Sequence, residues 1–481
     1  MVGFVGREAE LRWLTDEFRR VVASGEGRCV LVRGRRRVGK SRLVEKFLES
    51  ERAPRLFFTA ARGAGELQTF AREAATSFPV FGDVTPADWD AAFRLLDAAL
   101  SVPSIVVIDE FPFLVGKDPN IEFVLQRNWD RLLSRRPVLL ILVGSDLAMM
   151  EALNTYGRPF YGRGIELVVA PLAPAATAEL VGAPDAVAGF DAFLLTGGLP
   201  LLAAEWPKGT GLWDYLEGAL ANPMSPLIVS AERTLAAEFP SEAQAQIVLS
   251  QIGSGERTFK NIGRAGGGLH ATSLTRSLAV LTDKRIVAQE KPLSTRLSSD
   301  SRYRITDPYL RFWLQFIGPY LPEIERGRGD RVLARIKQGW LTWRGRAIEP
   351  VIREAVLRLS PLGELDDVGA VGGYWTRTND VEIDLVGADR EPIAKRIVFA
   401  GTIKWRDDGP LDQADLNRLV NAVAKLPGAD DHTPTIAVSS TAVTARGTTI
   451  TLGPEELLAA SKDNPSTPIE PRSTGGFTTS P

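Results

Sequence analysis

Two rhythms of apolar and polar residues alternate along this chain, and the changes of rhythm mark its segments. The N-terminal third carries short unbroken apolar runs at 28–33, 54–59, 104–108, 138–143 and 165–169. Runs of that length, rich in Val, Ile and Leu, suit strands buried on both faces of a parallel sheet. Helix-compatible stretches lie between them. The one after Gly6 has an apolar stripe at Leu11, Leu14, Phe18 and Val21 or Val22; others cover 42–47, 66–78 and 86–100, with Pro79 and Gly82 in a break. This alternation predicts an α/β domain over 1–170, with a three-layer αβα sheet. An Ala- and Leu-rich helical subdomain is expected over 171–235. From 236 to 306 the pattern reads as helices at 242–252, 259–264 and 272–281, then strands at 285–289 and 303–305 around a polar loop. Three helices and a hairpin make a winged helix-turn-helix. From 307 to 460 the pattern predicts a helix from Arg344 through Leu357, strands at 372–375, 381–386 and 397–405, a helix over 414–426 and a strand at 435–439. The tail, 461–481, is rich in Ser, Thr, Pro and Gly and reads as disordered.

Composition narrows the function classes. At 481 residues the chain is expected to hold roughly two to four domains. Its net charge of −2 carries no overall nucleic-acid signature, so any such surface has to be local. The single cysteine, Cys29, excludes an internal disulfide or a cysteine zinc cluster and fits a reducing, cytoplasmic setting. The two histidines, His270 and His432, are far apart and argue against a histidine metal site or a His-based triad. No apolar run reaches the ~20 residues of a membrane span.

The strongest chemical signal is Gly34-Arg35-Arg36-Arg37-Val38-Gly39-Lys40-Ser41, with Arg42 opening the next helix. It reads G-x-x-x-x-G-K-S, a phosphate-binding loop between a strand and a helix. Its backbone N–H groups and the helix N-terminus would cradle phosphates, Lys40 would reach the β- and γ-phosphates, and Ser41 would hold Mg²⁺. A chance Gly-Lys-Ser turn is the competing reading. The second half of such a site is 104–110, where four β-branched residues precede Asp109 and Glu110. Asp109 would bind Mg²⁺ and Glu110 would polarise the attacking water. Ser145, after the strand 138–143, is a candidate γ-phosphate sensor or a helix cap. Arg163 is a candidate for stabilising transition-state charge, within the chain or across an interface, with a structural ion pair as the alternative.

Taken in order, the Gly6-Arg7-Glu8 opening, the arginine-rich loop, the Asp109-Glu110 strand end, Gly144-Ser145 and Tyr161-Gly162-Arg163 resemble the archaeal-type ATPase family. That family is a branch of the AAA-like and STAND P-loop ATPases. The resemblance implies a P-loop NTPase core with ATP as ligand, and hydrolysis or ATP-dependent switching. Thr196-Gly197-Gly198-Leu199-Pro200 resembles the family's Gly-Gly-x-Pro lid element. The stretch Tyr303 to Trp313 resembles its aromatic domain junction, where packing is the expected role. The C-terminal segment resembles the PD-(D/E)xK nuclease-like fold, with Glu349, Asp384 and Lys404 at the positions of its site. One departure matters: the residue two before the lysine, acidic in that family, is Thr402. Losing this carboxylate removes a metal ligand; Glu382, on the face of Asp384, is a partial substitute. A degenerate structural or binding domain is expected, with an ATP-dependent nuclease as the alternative.

The winged helix makes double-stranded DNA a candidate partner, with Thr275, Arg276, Lys284, Arg296 and Arg302 as candidate contacts. Protein contacts or a homo-oligomer are the other possibility. The function expected is ATP hydrolysis driving a conformational change. The non-enzymatic alternative is a nucleotide-gated DNA-binding regulator.

Overall fold

The computed structural model describes residues 4–61, 65–238, 243–255, 257–363, 365–462 and 468–469. The described residues form two compact units: 4–171 with 468–469, and 172–462.

The first unit is built on six strands, in the order β13-β5-β1-β4-β3-β2. These are β1 (Arg28–Arg33), β2 (Arg55–Thr59), β3 (Ser104–Asp109), β4 (Val138–Gly144), β5 (Ile165–Val168) and, from the tail, Pro468–Ile469 as β13. Strands β1 to β5 are mutually parallel; β13 joins β5 antiparallel. Every residue of β3 and β4 is buried, as their unbroken apolar runs require. Cys29 packs in this core as a free thiol. A cluster around Phe58, Phe70, Phe93 and Phe111 fills the space between sheet and helices; each such side chain contributes roughly 2–3 kcal/mol when removed from water.

The tail differs from its expected disorder at two points. Ser461 is buried, its hydroxyl accepting from the Ala175 N–H and donating to the Leu458 carbonyl. Pro468–Ile469 forms β13. Residues 463–467 and 470–481 lie outside the described residues.

The second unit begins with helices Pro174–Val181, Ala186–Thr196, Pro200–Ala204, Leu212–Ala221 and Pro226–Glu238. The last of these runs across the boundary expected at 235. Helices Ala243–Gly253, Phe259–Ala265 and Ala271–Asp283 follow, then an antiparallel hairpin of β6 (Val287–Glu290) and β7 (Arg302–Ile305). The aromatic stretch forms helix Pro308–Phe316. Tyr309 donates to the Leu227 carbonyl and Trp313 to that of Ile228, while Phe312 and Phe316 pack edge-on against Trp343. The expected packing role fits these contacts.

The helix expected to open at Arg344 is one 31-residue element, Gly329–Leu359. Gly339, Gly345 and Pro350 lower its intrinsic helix propensity. Burial of Val332, Ile336, Trp340 and Trp343 outweighs that cost. The last sheet has the order β12-β11-β10-β9-β8. Its strands are β8 (Ala370–Trp375), β9 (Glu382–Ala388), β10 (Ile397–Lys404), β11 (Thr435–Ser439) and β12 (Ile450–Leu452). The first three are antiparallel, the last three parallel, and helix Gln413–Val423 connects β10 to β11.

The hairpin is not a free wing. Leu293, just past β6, belongs to the core of this C-terminal sheet, and its N–H donates to the Gly373 carbonyl at 2.8 Å. Arg302 is buried, donates to Glu382 and Asn379, and lies 4.4 Å from the Trp375 ring centre. It therefore has no face for DNA, contrary to the sequence expectation. Thr275, Arg276 and Arg296 are exposed; Lys284 is half-buried. Replacing Arg302 by Ala should leave Glu382 without its main cation. Because Glu382 is 44% exposed, the loss should be about 1–3 kcal/mol, less than for a fully buried pair, and a denaturant titration would read it as a lower midpoint.

Candidate nucleotide site

Three parallel strands bring the site together from distant sequence. The phosphate loop leaves β1, Ser145 follows β4, and Asp109 ends β3, with β4 between the other two strands. Registers Arg33↔Gly144 and Ile108↔Leu142 put all three exits on the carboxyl rim of the sheet, where ligands bind in open α/β folds.

The loop's shape is set by close approach and by carbonyl partners. A Cβ on Gly34 would lie 2.3 Å from the Val169 carbonyl oxygen, so only glycine fits there. Gly39 precedes the helix Lys40–Ser50 in the left-handed region. Lys40 is buried, and its ammonium donates to the carbonyls of Gly34 (2.9 Å) and Arg35 (3.0 Å). Burial draws its pKa down to about 8, against the opposing pull of Glu110 and Asp109; Arg36 adds to the lowering.

The Ser41 hydroxyl donates to Asp109 Oδ2 at 2.8 Å, and the Glu110 N–H donates to Asp109 Oδ1 at 2.9 Å. Burial pushes the Asp109 carboxyl upward, and these two hydrogen bonds pull it back. Glu110 sits in the left-handed region (φ 52°) at the start of helix Phe111–Lys117. Its carboxylate accepts from the Ser145 hydroxyl at 3.0 and 3.2 Å. Arg37 of the loop is also left-handed (φ 69°). Each such residue costs about 1–2 kcal/mol, and backbone strain of this kind concentrates at working sites.

Other candidates have different placements. Arg42 is exposed and paired with Glu45 and Glu49, so only its backbone remains for phosphate. Arg36 is exposed, and Arg35 and Arg37 are half-buried; Val38 is fully buried. Arg163 makes a two-pronged ion pair with Asp130 (2.7 and 2.8 Å) and donates to the carbonyls of Pro159 and Tyr161. It also precedes β5, whose first residue pairs with Val30, three residues before the end of β1. At ~3.3 Å per residue this is about 10 Å toward the opposite rim from the phosphates. The geometry supports the structural ion pair.

Two arginines escaped the sequence reading as site residues. Arg7, in the Gly-Arg-Glu opening, is buried, and donates to the carbonyls of Val38 (3.0 Å) and Ala170 (2.6 Å) and to Glu10. Its spacing from Glu10 was a usable signal. Arg33, the last residue of β1, pairs with Glu166 (2.6 Å) and Glu151 (2.7 Å) at the loop's entrance, and nothing local in the sequence announces these partners.

At the C-terminal sheet, Asp384 Oδ2 accepts from the Thr402 hydroxyl and the Ile403 N–H, both at 2.9 Å. Lys404 lies 3.8 Å from Asp415. Burial pushes Glu349 up to about 7, with Arg353 opposing. Among the described residues no group of three or more His, Cys, Asp or Glu is arranged to hold a metal ion.

An Arg163→Ala variant should lose about 1 kcal/mol of stability, since Asp130 is largely solvated, and should keep its nucleotide turnover. Thermal unfolding and phosphate release on one preparation would check both.

Residues 3–145 match the family described as the AAA ATPase domain, and residues 313–419 match DUF234, described as archaeal and bacterial proteins of unknown function. The uncharacterized protein MJECL04 of Methanocaldococcus jannaschii is 28% identical over 443 residues, 89% of this chain and 93% of that protein. Among solved structures, the Walker-type ATPase paby2304 of Pyrococcus abyssi is 21% identical, with a TM-score of 0.48 over 64% of this chain and 95% of its own. The Aeropyrum pernix ORC2 protein, in its ADPNP–ADP complexes, is 14% identical, with a TM-score of 0.43 over 69% of this chain and 95% of its own. Residues 3–145 are thus similar to the AAA ATPase domain and residues 313–419 to the DUF234 proteins, and the chain is an ATPase.

Proposed function

We propose that this protein hydrolyses Mg²⁺-ATP by attack of water on the γ-phosphorus, and that the cycle drives a conformational change. The observation that carries the reading is the Ser41–Asp109–Glu110–Ser145 chain of hydrogen bonds beside Lys40. Ser41 Oγ and the Asp109 carboxylate are hard oxygen donors 2.8 Å apart, and they would hold Mg²⁺ together with phosphate oxygens and water. The ion, when bound, would neutralise charge on the β- and γ-phosphates. Lys40 would leave the Gly34 and Arg35 carbonyls for the β- and γ-phosphates. Glu110 would take the proton of the attacking water as the bond from γ-phosphorus to the bridging oxygen breaks, giving ADP and phosphate. Ser145 would hold the Glu110 carboxylate in place until the water is aligned.

Helices Ala243–Gly253, Phe259–Ala265 and Ala271–Asp283 with the hairpin support a winged-helix reading. Because the hairpin packs on the C-terminal sheet, DNA would be met by the exposed side of helix Ala271–Asp283, at Thr275 and Arg276. The strand order and connections after residue 370 support a nuclease-like fold. The engagement of Asp384 by Thr402 and Ile403 favours a domain without cleavage activity.

Multiple-turnover phosphate release tests the main claim. Lys40→Ala and chelation of Mg²⁺ should each abolish turnover, and Glu110→Gln should lower it by roughly 10²-fold or more. Wild-type release no faster than that of Lys40→Ala would leave a nucleotide-gated switch instead. In a salt titration, Arg276→Ala should weaken any DNA affinity and flatten its salt dependence; an unchanged slope would remove this helix from the interface.

A further inference from the structure

We propose that strand β13 is a reversible clip on the nucleotide domain: it docks along the open edge of β5 and holds the wall of the phosphate loop in the shape that binds nucleotide. The proposal rests on the reading of that loop as a nucleotide site and adds a regulatory segment to it.

β5 is the last of the parallel strands and has β1 on one side. Its other edge would present unpaired N–H and C=O groups, a ready template for a further strand. Pro468 and Ile469 occupy that edge, antiparallel, opposite Leu167 and Glu166. The strand is short, and Pro468 has no N–H to donate. It therefore adds few ladder bonds and can leave at little cost. Its approach is fixed upstream, where Ser461 is buried and its hydroxyl accepts from the Ala175 N–H at 3.0 Å. The second unit, 172–462, is thereby bracketed in sequence by two strands that pair with each other. A load on either of its chain ends arrives at this pair.

The residues that β13 pairs with also shape the loop. The Glu166 carboxylate, on the residue opposite Ile469, accepts from Arg33 at 2.6 Å and from Asn154 at 2.9 Å. Arg33 directly precedes Gly34. The Val169 N–H donates to the Arg33 carbonyl at 2.7 Å, and the Val169 carbonyl oxygen is the atom that leaves no room for a Cβ on Gly34. The Ala170 carbonyl accepts from Arg7 at 2.6 Å, and the same guanidinium holds the Val38 carbonyl at 3.0 Å. Residues 166–170 thus carry the entrance and one wall of the loop, and β13 pairs with the first two of them on the far edge. With β13 in place, β5 is paired on both sides and the wall is ordered before a ligand arrives. With β13 released, β5 is left as an open edge and that ordering falls on the binding step. Coupling of this kind is reciprocal, so bound nucleotide strengthens the docking of β13 by the same factor.

The test compares wild type, a chain ending at Lys462, and the full chain carrying Pro468→Gly and Ile469→Gly, which removes the strand preference and keeps the tail. Binding of the fluorescent nucleotide mant-ADP gives the affinity, and amide hydrogen exchange of the β5 segment reads the docking. Both altered chains should bind mant-ADP about fivefold more weakly, or worse, and their β5 amides should exchange faster. In wild type, ADP should slow that exchange. Equal affinity in all three proteins would overturn the coupling, and equal exchange would overturn the docking itself. No binding of mant-ADP by wild type would instead overturn the loop as a nucleotide site, and this proposal with it.

Discussion

A loop built to surround phosphate must point its N–H groups inward, and its carbonyls then need partners of their own. Lys40 and Arg7 supply them: Lys40 takes the carbonyls of Gly34 and Arg35, and Arg7 takes that of Val38. The rest of the first unit is arranged around this constraint. Arg7 also reaches Ala170, and Arg33 ties the loop's entrance to Glu166, so the loop is anchored to both ends of β5 and to the first helix. Arg7 keeps the Val38 carbonyl whichever partners Lys40 holds, so the far side of the loop stays anchored when the ammonium turns to a ligand.

The second unit shows the same physics with the opposite outcome. At the nucleotide site, Asp109 has two hydrogen-bond partners and stands next to Ser41, leaving oxygen donors that can open toward an ion. At the C-terminal sheet, Asp384 is engaged by Thr402 and Ile403, Glu382 by Arg302 and Asp415 by two arginines. The difference lies in what surrounds the carboxylates and not in their number. Thr402 is the residue that most clearly separates the two: its hydroxyl donates to Asp384 Oδ2 and keeps that carboxylate engaged within the sheet.

Much of the first unit was legible because its signals are local. Unbroken apolar runs marked β1, β3 and β4, and the Gly-Lys-Ser and Asp-Glu pairs mark strand ends that sheet order then brings together. Ser145 was legible as a polar residue at a strand end, a phosphate sensor or a helix cap, but its hydrogen bond to Glu110 was not. What sequence could not supply were partners chosen by tertiary contact. Arg163 reads equally as a transition-state cation or an ion-pair member until Asp130 appears thirty-three residues away, and Arg302 reads as a wing residue until Glu382 and Trp375 cover it. The long helix was read only from Arg344 onward; its first half, Gly329 to Trp343, is held by buried Val332, Ile336, Trp340 and Trp343 despite the low propensity of Gly339.

The central claim is that the chemistry of this chain resides at the nucleotide loop and not at the C-terminal sheet. Phosphate release from ATP by Asp109→Ala and Asp384→Asn, measured beside wild type, tests it most directly. The account predicts that Asp109→Ala falls to background while Asp384→Asn turns over as wild type does. Retained turnover in Asp109→Ala, or its loss in a folded Asp384→Asn protein, would contradict it.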